Sequence, residues 1–261
     1  MSLTVLPMKS SLKAGEFDLF VGLASDLVKN NLKPENGDVF VISSKYVANS
    51  QGRVIELDKI VPSSDAKNLA SKFQMKPKMA EIILRESDVI FGGISGFVLT
   101  SSDNILAPNA GIDKSNTKRG SVVLYPNDSY HVAEQIRRKF LLQDNVRVGI
   151  IIADSRLMPG RAGTVGIAIA CSGIEPTSDL RGQKDLHGNP LKVTFQAVAD
   201  NLASIANLKM GEGADVIPVA IIRNSGANII DRKIRADEMA ISYEECVYLR
   251  GLGTESKITI V

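Results

Sequence analysis

Apolar and polar residues follow two periods along the chain, and the switches between them predict the elements. Strands are expected at Val39-Phe40-Val41-Ile42, a short apolar run, at Val146 to Ile152, Val165 to Ala170 and Leu191 to Val198, and at Val216 to Ile222 as a buried strand. Leu3 to Leu6 reads as a strand stopped by Pro7, and Arg53 to Leu57 as a short one. Val89-Ile90-Phe91 and Phe97-Val98-Leu99 read as strands split by Gly92-Gly93-Ile94-Ser95-Gly96. Helical spacing takes over at Phe17, Phe20, Val21, Ala24, Leu27 and Val28, before the turn-rich Lys33-Pro34-Glu35-Asn36-Gly37. Ser63-Ser64-Asp65, Pro77 and Asp128-Ser129 each suit a helix start. A further helix from Asp200 to Met210 is expected to bury Leu202, Ile205, Ala206 and Leu208. From Asp231 to Arg250 the mixed charges predict an amphipathic helix with a solvated face. The pattern predicts an α+β fold with mixed sheets and flanking helices. It shows no repeat and no clear linker, so 1–261 reads as one domain or two intertwined subdomains.

Composition narrows the function classes. A formal charge of +2 creates no basic field, so nucleic-acid binding is not expected. Cys171 and Cys246 form no Cys-x-x-Cys pair, and with only His131 and His187 a zinc site is not expected either. Cys171 reads as a small buried hydrophobe. The apolar runs are strand length, so no membrane span is expected, and Met1-Ser2-Leu3-Thr4 lacks the features of a secretory signal. A cytoplasmic protein is the expectation.

Two carboxylates carry the candidate chemistry. Asp113, after Asn109-Ala110-Gly111-Ile112, and Asp154, after Ile150-Ile151-Ile152-Ala153, each follow an apolar run. A strand there would deliver each carboxylate to the rim of a sheet. Magnesium and manganese take oxygen ligands of this kind and leave other positions to water and phosphate. The alternative is that both are ordinary turn aspartates. Neither the Walker signature nor the Gly-x-Gly-x-x-Gly turn is present, so a nucleotide would be held in another way. Ser43-Ser44-Lys45 offers hydroxyls and a cation at a strand exit. Met210-Gly211-Glu212-Gly213 offers close backbone approach and an acid where the helix dipole disfavours one. Arg156 and Arg161 suit phosphate charge or are solvated loop arginines. Gly182-Gln183-Lys184-Asp185-Leu186-His187-Gly188 reads as a polar loop.

Several blocks occur in a recognisable order. Asn109-Ala110-Gly111-Ile112-Asp113 precedes Ser115-Asn116, then Asp154-Ser155, Gly182-x-Lys184-Asp185-Leu186-x-Gly188, Val198-Ala199-Asp200, and Met210-Gly211-Glu212-Gly213 with Ile217-Pro218-Val219. Together they resemble the coenzyme F420-0:gamma-glutamyl ligases from about Val5 to Arg223, while 224–261 matches loosely. The resemblance implies a GTP-dependent ligase that adds L-glutamate, through an acyl phosphate, to a deazaflavin coenzyme precursor. It also implies an intertwined homodimer, two Mg2+ or Mn2+ ions, and a response to K+. Metal ligation carries over onto Asp113 and Asp154 for one ion, with Ser155 and Glu212 for a second. Nucleotide contacts carry over onto Pro7, Ser44, Asn116, Met210, Gly211 and Gly213. Arg161 is the residue expected to neutralise the transferred phosphoryl group.

The chain departs from the family pattern in three places. Ser-Lys-x-Glu-Gly-Arg is here Ala48-Asn49-Ser50-Gln51-Gly52-Arg53, so a phosphate-facing lysine becomes Asn49. Lys45 is four residues earlier, roughly 13 Å away if that segment is extended. Asp-Thr-x-Gly-Arg is here Asp154-Ser155-Arg156-Leu157-Met158, and Asp200-Asn201 stands for Asp-Glu. These departures leave two alternatives open. One is a ligase for a different amino acid or acceptor; the other is a non-catalytic nucleotide- or deazaflavin-binding homologue.

Overall fold

A computed structural model describes residues 2–11, 15–102 and 105–253. The chain opens with β1 (Thr4–Met8), α1 (Leu19–Lys29), β2 (Val39–Ser43), α2 (Ser44–Ser50) and β3 (Val54–Glu56). Two helices follow, α3 (Ser64–Lys72) and α4 (Pro77–Glu86), then β4 (Val89–Ile94), β5 (Phe97–Ser102), β6 (Ile105–Pro108) and β7 (Ser121–Val123). The second half runs through α5 (Ser129–Lys139), β8 (Gly149–Leu157), β9 (Thr164–Ile174), β10 (Thr177–Asp179) and β11 (Phe195–Ala197). It ends with α6 (Val198–Met210), β12 (Val219–Arg223), β13 (Ile229–Lys233) and α7 (Val247–Gly253).

The main sheet has the order β1-β12-β2-β8-β9-β13, parallel between β2 and β8 and otherwise antiparallel. Side chains alternate across a strand, so each central strand feeds two cores. Phe40, Ile42, Ile150, Ile152, Val219 and Ile221 pack against α1, α2 and α5, while Val39, Val41, Ile151, Ala220 and Ile222 pack against α6. This double burial explains why these strands read as unbroken apolar runs rather than alternating ones. A smaller lobe holds β4-β5-β6 and the β3–β7 pair, with Met79, Ile82 and Ile83 of α4 packed on Val98, Val122 and Leu124. The α+β class with mixed sheets is therefore what the chain adopts.

Several expectations are corrected. Pro7 does not stop β1; it lies inside the strand opposite Ala220, which an edge strand tolerates because one ladder side needs no N–H. Asp128 precedes α5, but its backbone is left-handed (φ 48°) and its side chain makes no cap bond. Asp154 is not past its strand: the β8–β9 hairpin continues to Leu157 opposite Thr164, after a bulge between Ile152 and Ala153. Only Phe195–Ala197 of the expected 191–198 strand forms a ladder. The segment 231–250 is not one helix. Ile229 pairs with Ile174 at the sheet edge, and Arg232 is paired with Glu175 and Glu238. Tertiary pairing with β9 decides this, and helical periodicity does not register it. Residues 254–261 of the loosely matching segment lie outside the described residues.

The inward face of α6 also differs from expectation. Ile205 and Leu208 are exposed, while Ala199, Leu202, Ala203, Ala206 and Met210 are buried. The helix lies so near β9 that a Cβ added at Gly166 would meet the Ala203 carbonyl oxygen at 2.5 Å. Asp200 accepts the Ala168 N–H at 2.9 Å and pins this approach. Gly166→Val is expected to lower stability by about 1–3 kcal/mol, read as a reduced thermal midpoint in calorimetry. An unchanged midpoint would show that α6 has room to move away.

Candidate active site

The elements converge on a cavity of about 510 Å³ at one end of the main sheet. The end of β2 turns directly into α2 and places Ser44 and Lys45 on its wall. Because α2 is helical, Lys45 and Asn49 are one turn apart, about 6 Å by helix rise rather than the extended-chain distance. Both face the cavity.

Asp113 arrives by a strained turn. Asn109, Ala110 and Gly111 all have left-handed backbones, with φ of 50°, 56° and 68°. For Ala110 this costs on the order of 1 kcal/mol, and surrounding bonds hold it there. The Val98 N–H donates to Asn109 Oδ1 at 3.0 Å, and the Ala110 N–H donates to Thr100 Oγ1 at 2.9 Å. Asp113 then forms an isolated bridge with Val123, which fixes its backbone. Its carboxylate pairs with Lys45, whose Nζ also donates to Ser115 O at 2.9 Å and Ser115 Oγ at 2.8 Å. Burial opposes charge on Asp113, but Lys45 and the Ser115 N–H and hydroxyl outweigh it and hold its pKa below the ordinary carboxylate value.

Asp154 is the opposite case. It is largely buried, and burial pushes its pKa above the ordinary value against the Arg156 guanidinium and the Ser44 hydroxyl. The negative charge of Asp113 adds to the rise, so the two carboxylates sense each other across the cavity. Ser44 Oγ donates to Asp154 Oδ1 at 2.8 Å, and Arg156 Nη2 lies 3.4 Å from Oδ2. Ser155, next on the strand, also lines the cavity.

The third carboxylate enters from α6. Gly211 ends that helix with φ 73°, and Glu212 Oε1 accepts Asn207 Nδ2 at 3.1 Å and Thr164 Oγ1 at 3.4 Å. These donors offset the unfavourable helix dipole noted for this position. Asn116 Nδ2 donates to the Gly213 carbonyl at 3.0 Å and closes the wall between the two loops.

Most of the expected site residues thus share one cavity: Asp113, Asp154, Ser155, Glu212, Ser44, Asn116, Met210, Gly211 and Gly213. Pro7 and Arg161 are not on its wall. Pro7 sits within β1, and Arg161 lies in the exposed turn between β8 and β9. Among the described residues, no three His, Cys, Asp or Glu side chains cluster closely enough to hold a metal by themselves. The oxygen donors fit a hard divalent cation that takes one or two carboxylates and completes its shell with water and phosphate. Phe17, Tyr46, Ser10 and Ser11 also line the cavity and were not expected; their contribution comes from β1 and α1 approaching α2. Gln51 is not a ligand here: it exchanges two hydrogen bonds with the Asn127 backbone, both at 2.9 Å.

The family model for F420-0:gamma-glutamyl ligase matches residues 11–224. The coenzyme F420:L-glutamate ligase of Methanocaldococcus jannaschii is 43% identical over 196 residues, 75% of this chain and 78% of that protein. The ligase of the same name from Archaeoglobus fulgidus is 35% identical over 82% of this chain and 87% of its own length. That from Methanopyrus kandleri is 36% identical over 84% of each. With the match spanning the strained Asp113 turn, the β8 carboxylate and the loop after α6, the chain belongs to the F420-0:gamma-glutamyl ligase family.

Proposed function

We propose that the protein is a GTP- and metal-dependent ligase joining L-glutamate through a gamma-linked amide to the deazaflavin coenzyme F420 precursor. The observation that carries this reading is the meeting of Asp113, Asp154 and Lys45, from three separate elements, in one cavity closed by the Gly211–Gly213 loop. In the reaction, a carboxylate oxygen of the precursor attacks the terminal phosphorus of GTP and GDP leaves. The glutamate amine then attacks the acyl phosphate, releasing phosphate and a proton. The substrate carboxylate is itself the nucleophile, so the protein has to position and neutralise rather than attack. Asp113 and Asp154, with Ser155 and Glu212, are the residues that would hold Mg2+ or Mn2+. When bound, such an ion would supply positive charge to offset the negative charge that develops in phosphoryl transfer.

The remaining roles fall to this chain's own groups. Lys45, already held by Asp113 and Ser115, presents an ammonium to phosphate oxygens. Backbone at Gly211 and Gly213 allows close approach of the nucleotide, and Ser44 and Asn116 hold the walls. A homodimer fits the apolar surface left by β4–β6, where Phe97, its cross-strand partner Ile94, and Leu99 are exposed. Potassium dependence belongs to the same reading. No helix among the described residues is long and apolar enough to cross a membrane.

Incubation with the precursor, glutamate, GTP and Mn2+ is expected to give GDP and a product heavier by one or more glutamyl units. GTP binding without a mass shift or GDP would support a non-catalytic homologue; a different amine in the product would redirect the specificity. Asn49→Lys is expected to lower the KM for GTP about tenfold, because a second ammonium would stand one helical turn from Lys45. An unchanged KM in steady-state assays would place position 49 away from the phosphates.

A further inference from the structure

Arg156 poses a physical problem that the reaction does not explain. Its side chain is only 4% exposed, and its Nε and Nη1 have no hydrogen-bond partner. A guanidinium in so dry a place costs several kcal/mol unless other groups compensate it. Its contacts are few and specific. Nη2 donates to the Tyr125 hydroxyl, the guanidinium carbon lies 5.2 Å from the Tyr125 ring centroid, and Asp154 Oδ2 is 3.4 Å away.

Tyr125 in turn touches the other carboxylate's loop. A Cβ added at Gly111 would come within 2.5 Å of the Tyr125 ring, so the ring packs flush on the backbone two residues before Asp113. The Tyr125 carbonyl accepts Arg53 Nε at 3.0 Å, which anchors the tyrosine to the segment before β3. One ring therefore separates the Asp113 turn from the arginine that faces Asp154. Ser44 holds the other oxygen of Asp154, so the carboxylate is gripped from both sides.

We propose that Tyr125 and Arg156 form a positioning pair that sets the separation and orientation of Asp113 and Asp154 without touching substrate. The ring acts as a spacer against Gly111, and the guanidinium carries that position across to Asp154. The pair gives the buried arginine a role. The consequence for cation binding rests on the ligase reading above; the geometric consequence does not.

The two roles open to Arg156 predict opposite signs. If it were only a counter-charge, removing it would strengthen cation binding, because a positive charge near the carboxylates repels the ion. If it positions Asp154, removing it weakens binding despite the lost repulsion. Titration of the nucleotide-free protein with Mn2+ is expected to show at least a threefold loss of affinity in Arg156→Met, with partial recovery in Arg156→Lys. Unchanged or tighter binding would overturn the proposal. Turnover is expected to fall at least tenfold in kcat, with the KM for GTP within threefold.

Tyr125→Phe keeps the spacer and removes the hydroxyl, so it serves where the methionine variant fails to fold. It is expected to lie between wild type and Arg156→Met in both readouts. Crystal structures of the variants give a measure independent of metal or activity: the Asp113–Asp154 carboxylate separation should change by about 1 Å or more. An unchanged separation would overturn the pair even if the protein is a ligase. Absence of Mn2+ binding in wild type, with the separation changed in the variants, would overturn the ion assignment and leave the pair standing.

Discussion

Asp113→Asn is expected to reduce glutamate addition by about 10²–10³-fold, the usual loss when a charged transition-state contact is removed. Stability is expected to change by no more than about 1 kcal/mol. The two effects separate because Asp113 sits half-exposed: its side chain is 41% accessible and that of its partner Lys45 is 22%. A pair so open to water contributes little to folding. Asparagine keeps the shape and can still accept the Ser115 N–H that Asp113 accepts at 2.6 Å. What it lacks is the charge a divalent cation needs. Product mass and GDP release measure the first effect, and the thermal midpoint measures the second. Turnover within tenfold of wild type would remove Asp113 from the ion's ligands.

Glu134→Gln is expected to cost about 3 kcal/mol at neutral pH, a fall of roughly 6–12 °C in thermal midpoint for a chain of this size. Glu134 on α5 accepts Arg137 Nε at 2.8 Å and Nη2 at 2.9 Å, Arg138 Nε at 2.9 Å and Ser172 Oγ at 2.6 Å. Arg137 also reaches Asp231 at 2.6 Å, so the cluster ties α5 to β9 and β13. Hydrogen bonding from Arg137 is the largest cause that lowers the Glu134 pKa, from 4.5 to about 2, against the opposing effect of burial. A depressed folded-state pKa means that the unfolded chain takes up the proton first. The stabilisation is therefore complete above about pH 4.5 and is lost as pH falls toward 2. The difference between wild type and variant should shrink across that window in acid unfolding curves. A constant difference down to pH 2 would show that packing, not charge, links these elements.

How far the sequence reached depends on the range of the interaction concerned. Helix starts at Ser63 and Pro77 were legible because capping and first-turn chemistry are local, and the Ser63 hydroxyl does accept the Ala66 N–H at 3.2 Å. The buried strands β2, β8 and β12 were legible because burial on both faces leaves a continuous apolar run. Asp154 was legible as a carboxylate beside such a run, and Glu212 as an acid at an unfavourable helix end; Asp113 is instead delivered by the turn Asn109–Gly111 and not by a strand. Lys45 was read through an extended backbone, and the helix α2 reverses that conclusion. Periodicity places Ile205 and Leu208 inward, whereas the face that α6 turns to the sheet is that of Ala199, Leu202, Ala203, Ala206 and Met210, with Ala203 at the close approach to Gly166.

The sequence alone determined the α+β class, most of the strand-bearing segments and the order of the motif blocks, because each is written in neighbouring residues or in local periodicity; the site residues came through the resemblance those blocks carry. Tertiary structure alone decided the strand order, the pairing of Lys45 with Asp113 and the placing of Tyr125 between Gly111 and Arg156. It also decided that Arg161 lies off the wall. Those facts depend on groups far apart in the chain, 31 positions for Tyr125 with Arg156 and 68 for Lys45 with Asp113. Contacts over such separations form only when the whole sheet closes, and no local pattern of residue types encodes them.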